Sequence, residues 1–146
     1  MDFERVRPYA PLVVRIGVAL VFLWFGINQL LFPSDFLGYL PSWVVMDEAG
    51  FGHVLFTLVH LAVGEHVGLL LAFNGVFEMV FGLLLLVGLF TRVSALLLSL
   101  HLFGIMVSLG YNDIAVRDFG LVAATFSVFL YGKDTWCWDD KRKKTE

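Results

Sequence analysis

The sequence predicts an all-α integral membrane protein, a four-helix bundle with an amphipathic interfacial helix between helices 1 and 2. Three observations carry that reading. Of the 146 residues, 59% are hydrophobic and only 16% charged, with a mean hydropathy of +0.83; soluble domains run near 45–50% apolar and about 25% charged. A chain of this length cannot bury such an excess in one core, so lipid is its natural solvent. Four stretches approach the roughly 20 apolar residues that a spanning helix needs. The charges lie mostly between or beyond those stretches.

The first span covers about 11–32, with Pro11 suited to a first helical turn and Pro33 closing the run. Its mixed-charge lead, Asp2 to Arg7, and its length distinguish it from a cleaved signal peptide, so it is expected to be retained. Spans at about 67–90, 93–109 and 114–131 follow, the last ending at Gly132 as a helix cap. Their short joins predict antiparallel neighbours. Between the first two spans, Phe51 to Val63 is apolar but too short to cross, and His53, Thr57, His60 and Gly64 share one helical face. That pattern predicts a helix lying at the membrane surface, with Tyr39 and Trp43 as interfacial aromatics. Residues 1–146 are expected to form a single transmembrane domain.

Charge asymmetry fixes the number of crossings. Arg5, Arg7, Arg92, Lys133 and the basic run Lys141 to Lys144 fall on one side of a four-span chain, and Asp35, Asp47, Glu48, Glu65 and Asp113 on the other. A fifth span over 51–63 would put the basic tail on the wrong side. The expectation is a multi-pass protein of the cell membrane with both termini cytoplasmic. The formal net charge of −3 gives no ground for a nucleic-acid partner.

Ionisable side chains within spans are costly, about 2.5–3.5 kcal/mol on insertion scales, and need a partner or a task. Arg15 lies about one turn into the first span, where it either snorkels or pairs with an acid on a neighbouring helix. Glu78 lies midway along the second span with Asn74 and Gly82 one turn to either side. His101 lies near the middle of the third, on a stripe with Ser94 and Ser108. Equal depth on adjacent helices predicts a Glu78–His101 pair, either a structural tie or a proton-transfer couple. Arg117 and Asp118 open the fourth span about 100° apart on the helix, which predicts separate partners, Glu78 being the acid for Arg117. Arg117, Gly120, Ala124, Ser127 and Tyr131 are expected to face inward. With Asn28, Gln29 and Asn74 these residues outline an outward-opening polar pocket.

Other chemistry finds no footing. Cys137 is the single cysteine, which removes an internal disulfide or a CxxC pair. The four histidines do not give two intramembrane ligands at one depth, which disfavours a haem held between helices. No metal-binding spacing, phosphate loop, dinucleotide fingerprint or nucleophile elbow is present.

Three segments resemble the DoxX family. They are Arg15-Ile16-Gly17 with Phe25 to Leu30, Asn74 to Glu78 with Gly82 to Arg92, and Arg117-Asp118 with Gly132 and Asp134 or Asp139 behind. The resemblance implies a four-helix membrane protein related to the small subunit of thiosulfate:quinone oxidoreductase, with Arg15, Glu78, Arg117 and Asp118 at the family's polar intramembrane positions. The family usually carries a basic residue where Gln29 stands, which, with the lone cysteine, argues against direct sulfur handling. The implied role is a redox-associated subunit that works with a partner and binds a quinone or similar amphiphile. Glu78 and His101 would be its catalytic groups, and Asn28, Asn74, Arg117 and Asp118 its cofactor-binding groups. A non-catalytic accessory or scaffold subunit is the alternative. A small-solute transporter, favoured if the chain forms a homo-oligomer, is a third reading.

Overall fold

The computed structural model describes residues 3–40, 44, 57, 67–134 and 136–138. Apart from Thr57, the interfacial helix expected over 51–63 lies outside the described residues, as do Trp43, His66 and the basic run at 141–144. Four helices dominate: α1 (Ala10–Leu31), α2 (Val67–Val87), α3 (Thr91–Leu109) and α4 (Asp113–Tyr131). A short helix (Phe3–Val6) and a 3-10 turn (Arg7–Tyr9) lead into α1, and a 3-10 stretch (Pro33–Tyr39) follows it. No strand occurs among the described residues. All four helices are long and apolar enough to cross a membrane. Large apolar side chains such as Leu20, Trp24, Phe73, Leu83, Phe103 and Phe119 are turned outward. In water such a coat would aggregate; in a bilayer it is the solvated face.

The helix ends follow from local chemistry. The second span stops at Val87, three residues earlier than the apolar run suggests, because Gly88 (φ +77) turns the chain left-handed. The Gly88 N–H donates to Leu85 O and the Leu89 N–H to Leu84 O, a Schellman closure. A side chain at Gly88 would also strike Cys137, whose Cα would lie 2.7 Å from an added Cβ. At α4 the Asn112 side chain caps the helix by accepting from the Ala115 N–H at 2.8 Å, and Gly132 caps the other end as expected.

The helices form a ring in chain order. Contact is heaviest between α1 and α2 and between α3 and α4, and thinner at the α2–α3 and α1–α4 seams. Gly26 and Gly75 explain the first pairing. A Cβ on Gly26 would sit 2.7 Å from Gly75 O, and one on Gly75 would sit 2.9 Å from Gly26 O. Only bare backbone allows that approach. The α3–α4 pair is tied by the Ser99 hydroxyl, which donates to Val122 O at 3.3 Å. Val18, Ala19, Phe22, Leu85, Ala95, Leu98, Leu102 and Val128 fill the shared core.

The orientation of α4 corrects the expectation from its sequence. Ala115, Asp118, Thr125 and Val128 are buried, whereas Arg117, Gly120, Ser127 and Tyr131 are exposed. Asp118 faces the cavity with Arg117 as its partner, and the long Arg117 stem lets that residue sit on the exposed side of the helix.

Candidate functional site

Two polar clusters sit at opposite ends of the bundle. At the end that carries the α2–α3 turn, Arg15 is almost fully buried. Its Nε donates to Asp134 Oδ2 at 2.6 Å, its Nη1 to Leu85 O at 2.5 Å and Leu86 O at 2.7 Å, and its Nη2 to Asp134 Oδ1 at 3.4 Å. The carbonyls of Leu85 and Leu86 belong to the last turn of α2, so the guanidinium serves as that helix's C-terminal cation as well as an ion-pair partner. The snorkelling alternative is thereby replaced by a buried pair, and the acid comes from the segment after α4 rather than from a neighbouring span. Burial alone would raise the Asp134 pKa. The Arg15 hydrogen bond, the Trp136 N–H at 2.9 Å and the Arg15 charge outweigh it and hold the carboxyl below the ordinary aspartate value. Cys137 completes the closure: its Sγ accepts from the Asp134 N–H and lies 3.3 Å from Thr91 Oγ1.

At the far end, where α1 finishes and α2 begins, a cavity of about 490 Å³ lies among all four helices. That is within the range of small-molecule pockets. Its wall is mainly apolar, with Phe22, Phe25, Leu71 and Leu102 among the lining residues, and its polar groups are Gln29, Asn74, Glu78, His101, Ser108, Arg117 and Asp118. The buried Glu78 carboxylate accepts from Gln29 Nε2 at 3.1 Å and from Asn74 Nδ2 at 3.3 Å. Asn74 Nδ2 also donates to Gln29 Oε1 at 2.6 Å, which closes a three-residue network across α1 and α2. His101 Nε2 lies 3.9 Å from Glu78 Oε1, too far for a hydrogen bond, and this buried atom has no hydrogen-bond partner among the described residues. The imidazole instead stacks on Phe77, with ring centroids 4.5 Å apart.

The remaining expected residues divide. Arg117 pairs with its neighbour Asp118, the Nε and Nη2 lying 3.1 and 3.0 Å from Asp118 Oδ1, not with Glu78. The helix sets where each Cβ points, but an arginine stem is long enough to wrap the intervening 100°. The same guanidinium carbon stands 5.7 Å from the Phe25 ring centroid. Asn28 does not line the cavity, because its amide donates to Trp24 O of its own helix at 2.7 Å. Gln29, read from sequence as a pocket member only, is instead the direct partner of Glu78. Among the described residues no group of three His, Cys, Asp or Glu side chains is placed to hold a metal ion.

The sequence profile of the DoxX family matches residues 10–110. The chain belongs to the DoxX family. No match is found among curated proteins or solved structures. The DoxX match takes in α1, α2 and α3, and with them Arg15, Gln29, Asn74, Glu78 and His101. It ends before α4, so Arg117, Asp118 and Asp134 stand outside the matched stretch. Both clusters of this DoxX protein thus join matched residues to unmatched ones, Arg117 and Asp118 on α4 at one end and Asp134 in the segment after α4 at the other.

Proposed function

We propose that this DoxX protein is a redox-associated membrane subunit whose cavity binds a quinone or similar small amphiphile, with the whole chain, 1–146, acting as one transmembrane domain. The observation that carries the reading is the unequal satisfaction of the cavity's polar groups. Glu78 is held by two amide donors, while beside it the buried His101 Nε2 has no hydrogen-bond partner among the described residues. Buried polar atoms are rarely left so unless a ligand or a task accounts for them. A carbonyl or hydroxyl on a planar ring would satisfy His101, and the aromatic and aliphatic wall suits the ring's apolar face.

In this reading Glu78 and His101 hold and deliver the protons that accompany two electrons supplied by a partner subunit, the quinone being the acceptor. Asn74 and Gln29 position the carboxylate. Asp118 engages the Nε and Nη2 of Arg117, and the guanidinium's other N–H groups orient a ligand oxygen. Replacing Glu78 by Gln keeps the shape of the side chain and removes its proton chemistry. Quinone-dependent turnover of the purified complex should fall at least a hundredfold with little change in melting temperature; retained turnover overturns the proposal.

A non-catalytic accessory role is favoured by one feature, the closed Gln29–Asn74–Glu78 network that already ties α1 to α2. It predicts the opposite outcome, a drop in detergent stability with partner activity intact. For topology, Arg5, Arg7, Arg92 and Lys133 at one end, against Asp35 and Asp113 at the other, favour cytoplasmic termini in the cell membrane. Alkaline phosphatase fused after 146 should be inactive; an active fusion reverses the orientation.

A further inference from the structure

Among the described residues the outer wall of the cavity is incomplete between α2 and α3, where the helices carry lipid-facing apolar side chains. Leu100, Gly104 and Ser108 lie one helical turn apart on α3, and all three line the cavity. Yet Leu100 is 57% exposed and Gly104 is also exposed, as is Phe73 across the seam on α2 at 68%. Residues that touch both the cavity and the outside mark an opening through the wall. Beside that gap the seam is bridged by one ring contact, His101 on α3 against Phe77 on α2 with centroids 4.5 Å apart.

Gly104 stands in the gap with no side chain to narrow it. An added Cβ there would meet nothing within 4 Å, unlike Gly26 and Gly75, where one would strike the facing backbone. Helix packing therefore does not require a glycine at 104, and glycine is a poor helix former. The rim, Phe73 and Leu100, is apolar, which suits entry from hydrocarbon rather than from water. The polar groups Gln29, Asn74, Glu78 and His101 stand deeper in the same cavity.

We propose that the cavity is loaded sideways from the bilayer through the α2–α3 opening at Gly104, and that its ligand is a long-chain amphiphile whose polar head reaches Glu78 and His101 while its apolar chain lies in the gap. This rests on the amphiphile reading above and adds the route and the chain.

The test uses the full chain in nanodiscs of phosphatidylcholine that carries a diazirine on one acyl chain close to its head-group end, with labelled positions mapped by mass spectrometry after illumination. Leu71 and Leu102, buried in the cavity wall, should be labelled, and Gly104→Leu should cut that labelling at least fivefold. Labelling at outward-facing Leu83 should stay within twofold, as an internal control for the fold. Leu100→Trp should act in the same direction as a second block. Absence of label at Leu71 and Leu102 in the native chain, or equal label in the blocked variants, overturns the side entrance. Adding a prenylated naphthoquinone should then suppress the cavity label. If cavity labelling is present but the quinone does not compete, the entrance stands and the quinone assignment falls.

Discussion

The two ends of this bundle bury ionisable side chains in opposite ways. At the end with the α2–α3 turn, Arg15 spends its donors on Asp134 and on the Leu85 and Leu86 carbonyls, and the surrounding segment closes over it. At the other end, Glu78 is held by Gln29 and Asn74, while His101 beside it lacks a partner and both border a cavity of about 490 Å³. A buried charge that is fully satisfied in a dry, closed setting holds structure together. Glu78 instead stands beside an imidazole that has no hydrogen-bond partner among the described residues and beside an open volume, the arrangement on which the proposed ligand site rests. The difference teaches that an ionisable residue within a span is not diagnostic of function by itself; the state of its neighbours is.

The comparison breaks most visibly at Arg15. Arg15→Ala strands the Asp134 carboxylate and the last carbonyls of α2 in a closed site, and loss of one partner of a buried pair typically costs about 3–5 kcal/mol. Thermal unfolding in detergent should show the largest destabilisation of any single substitution considered. A variant that melts like the native chain would mean that the pair is not the tie described.

Acid probes the same tie more gently. Because the folded Asp134 pKa is depressed, its contribution to stability is fully present above the ordinary aspartate value and is lost as pH falls through the lower folded value. Melting temperature should therefore be insensitive to this group from neutrality to about pH 5 and fall below about pH 4, near and under the unfolded pKa of ~3.9. Asp134→Asn should flatten that acid limb, and an unchanged limb would assign it to other carboxylates.

The spans were legible because lipid leaves the backbone few options: uninterrupted apolar runs of the right length become helices. Glu78 and His101 were legible as neighbours because depth along two antiparallel helices can be counted. Three features could not be read that way. Asp134 lies 119 positions from Arg15 and outside every span, so no periodicity links them. A helical wheel separates Arg117 from Asp118 and points to Glu78, because it fixes Cβ directions but not the reach of a stem, and the guanidinium meets Asp118 instead. Small residues suggest an inward face of α4 on Gly120, Ala124 and Ser127, yet only Ala124 packs against the core, and the buried face runs through Ala115, Asp118, Thr125 and Val128. The gap at Gly104 left only a faint signal, a glycine within an apolar helix, because its meaning depends on what stands around it.

At the cavity end, smaller effects should separate the network from its surroundings. Gln29→Leu removes one of the two amide donors to Glu78 and also the acceptor of Asn74. A buried acceptor losing a partner costs about 1–3 kcal/mol, below the Arg15 effect because an open cavity lets water or ligand compensate. Quinone affinity, followed by fluorescence quenching, should weaken together with stability; a loss of stability alone would favour the accessory role.

Asn28→Ala should do least of all. Asn28 adjoins Gln29 in sequence, yet a 100° step around α1 takes it off the cavity wall, and its amide is already committed to Trp24 O within its own helix. Such a local bond competes with helix geometry more than it supports tertiary structure, so its loss should change stability by less than about 0.5 kcal/mol. Quinone affinity should stay within twofold. A substantial loss of affinity in Asn28→Ala, set against a mild one in Gln29→Leu, would mean that the ligand approaches α1 from its outer side, and the contrast between a closed end and a receptive end would then have to be redrawn around a different face of the same helix.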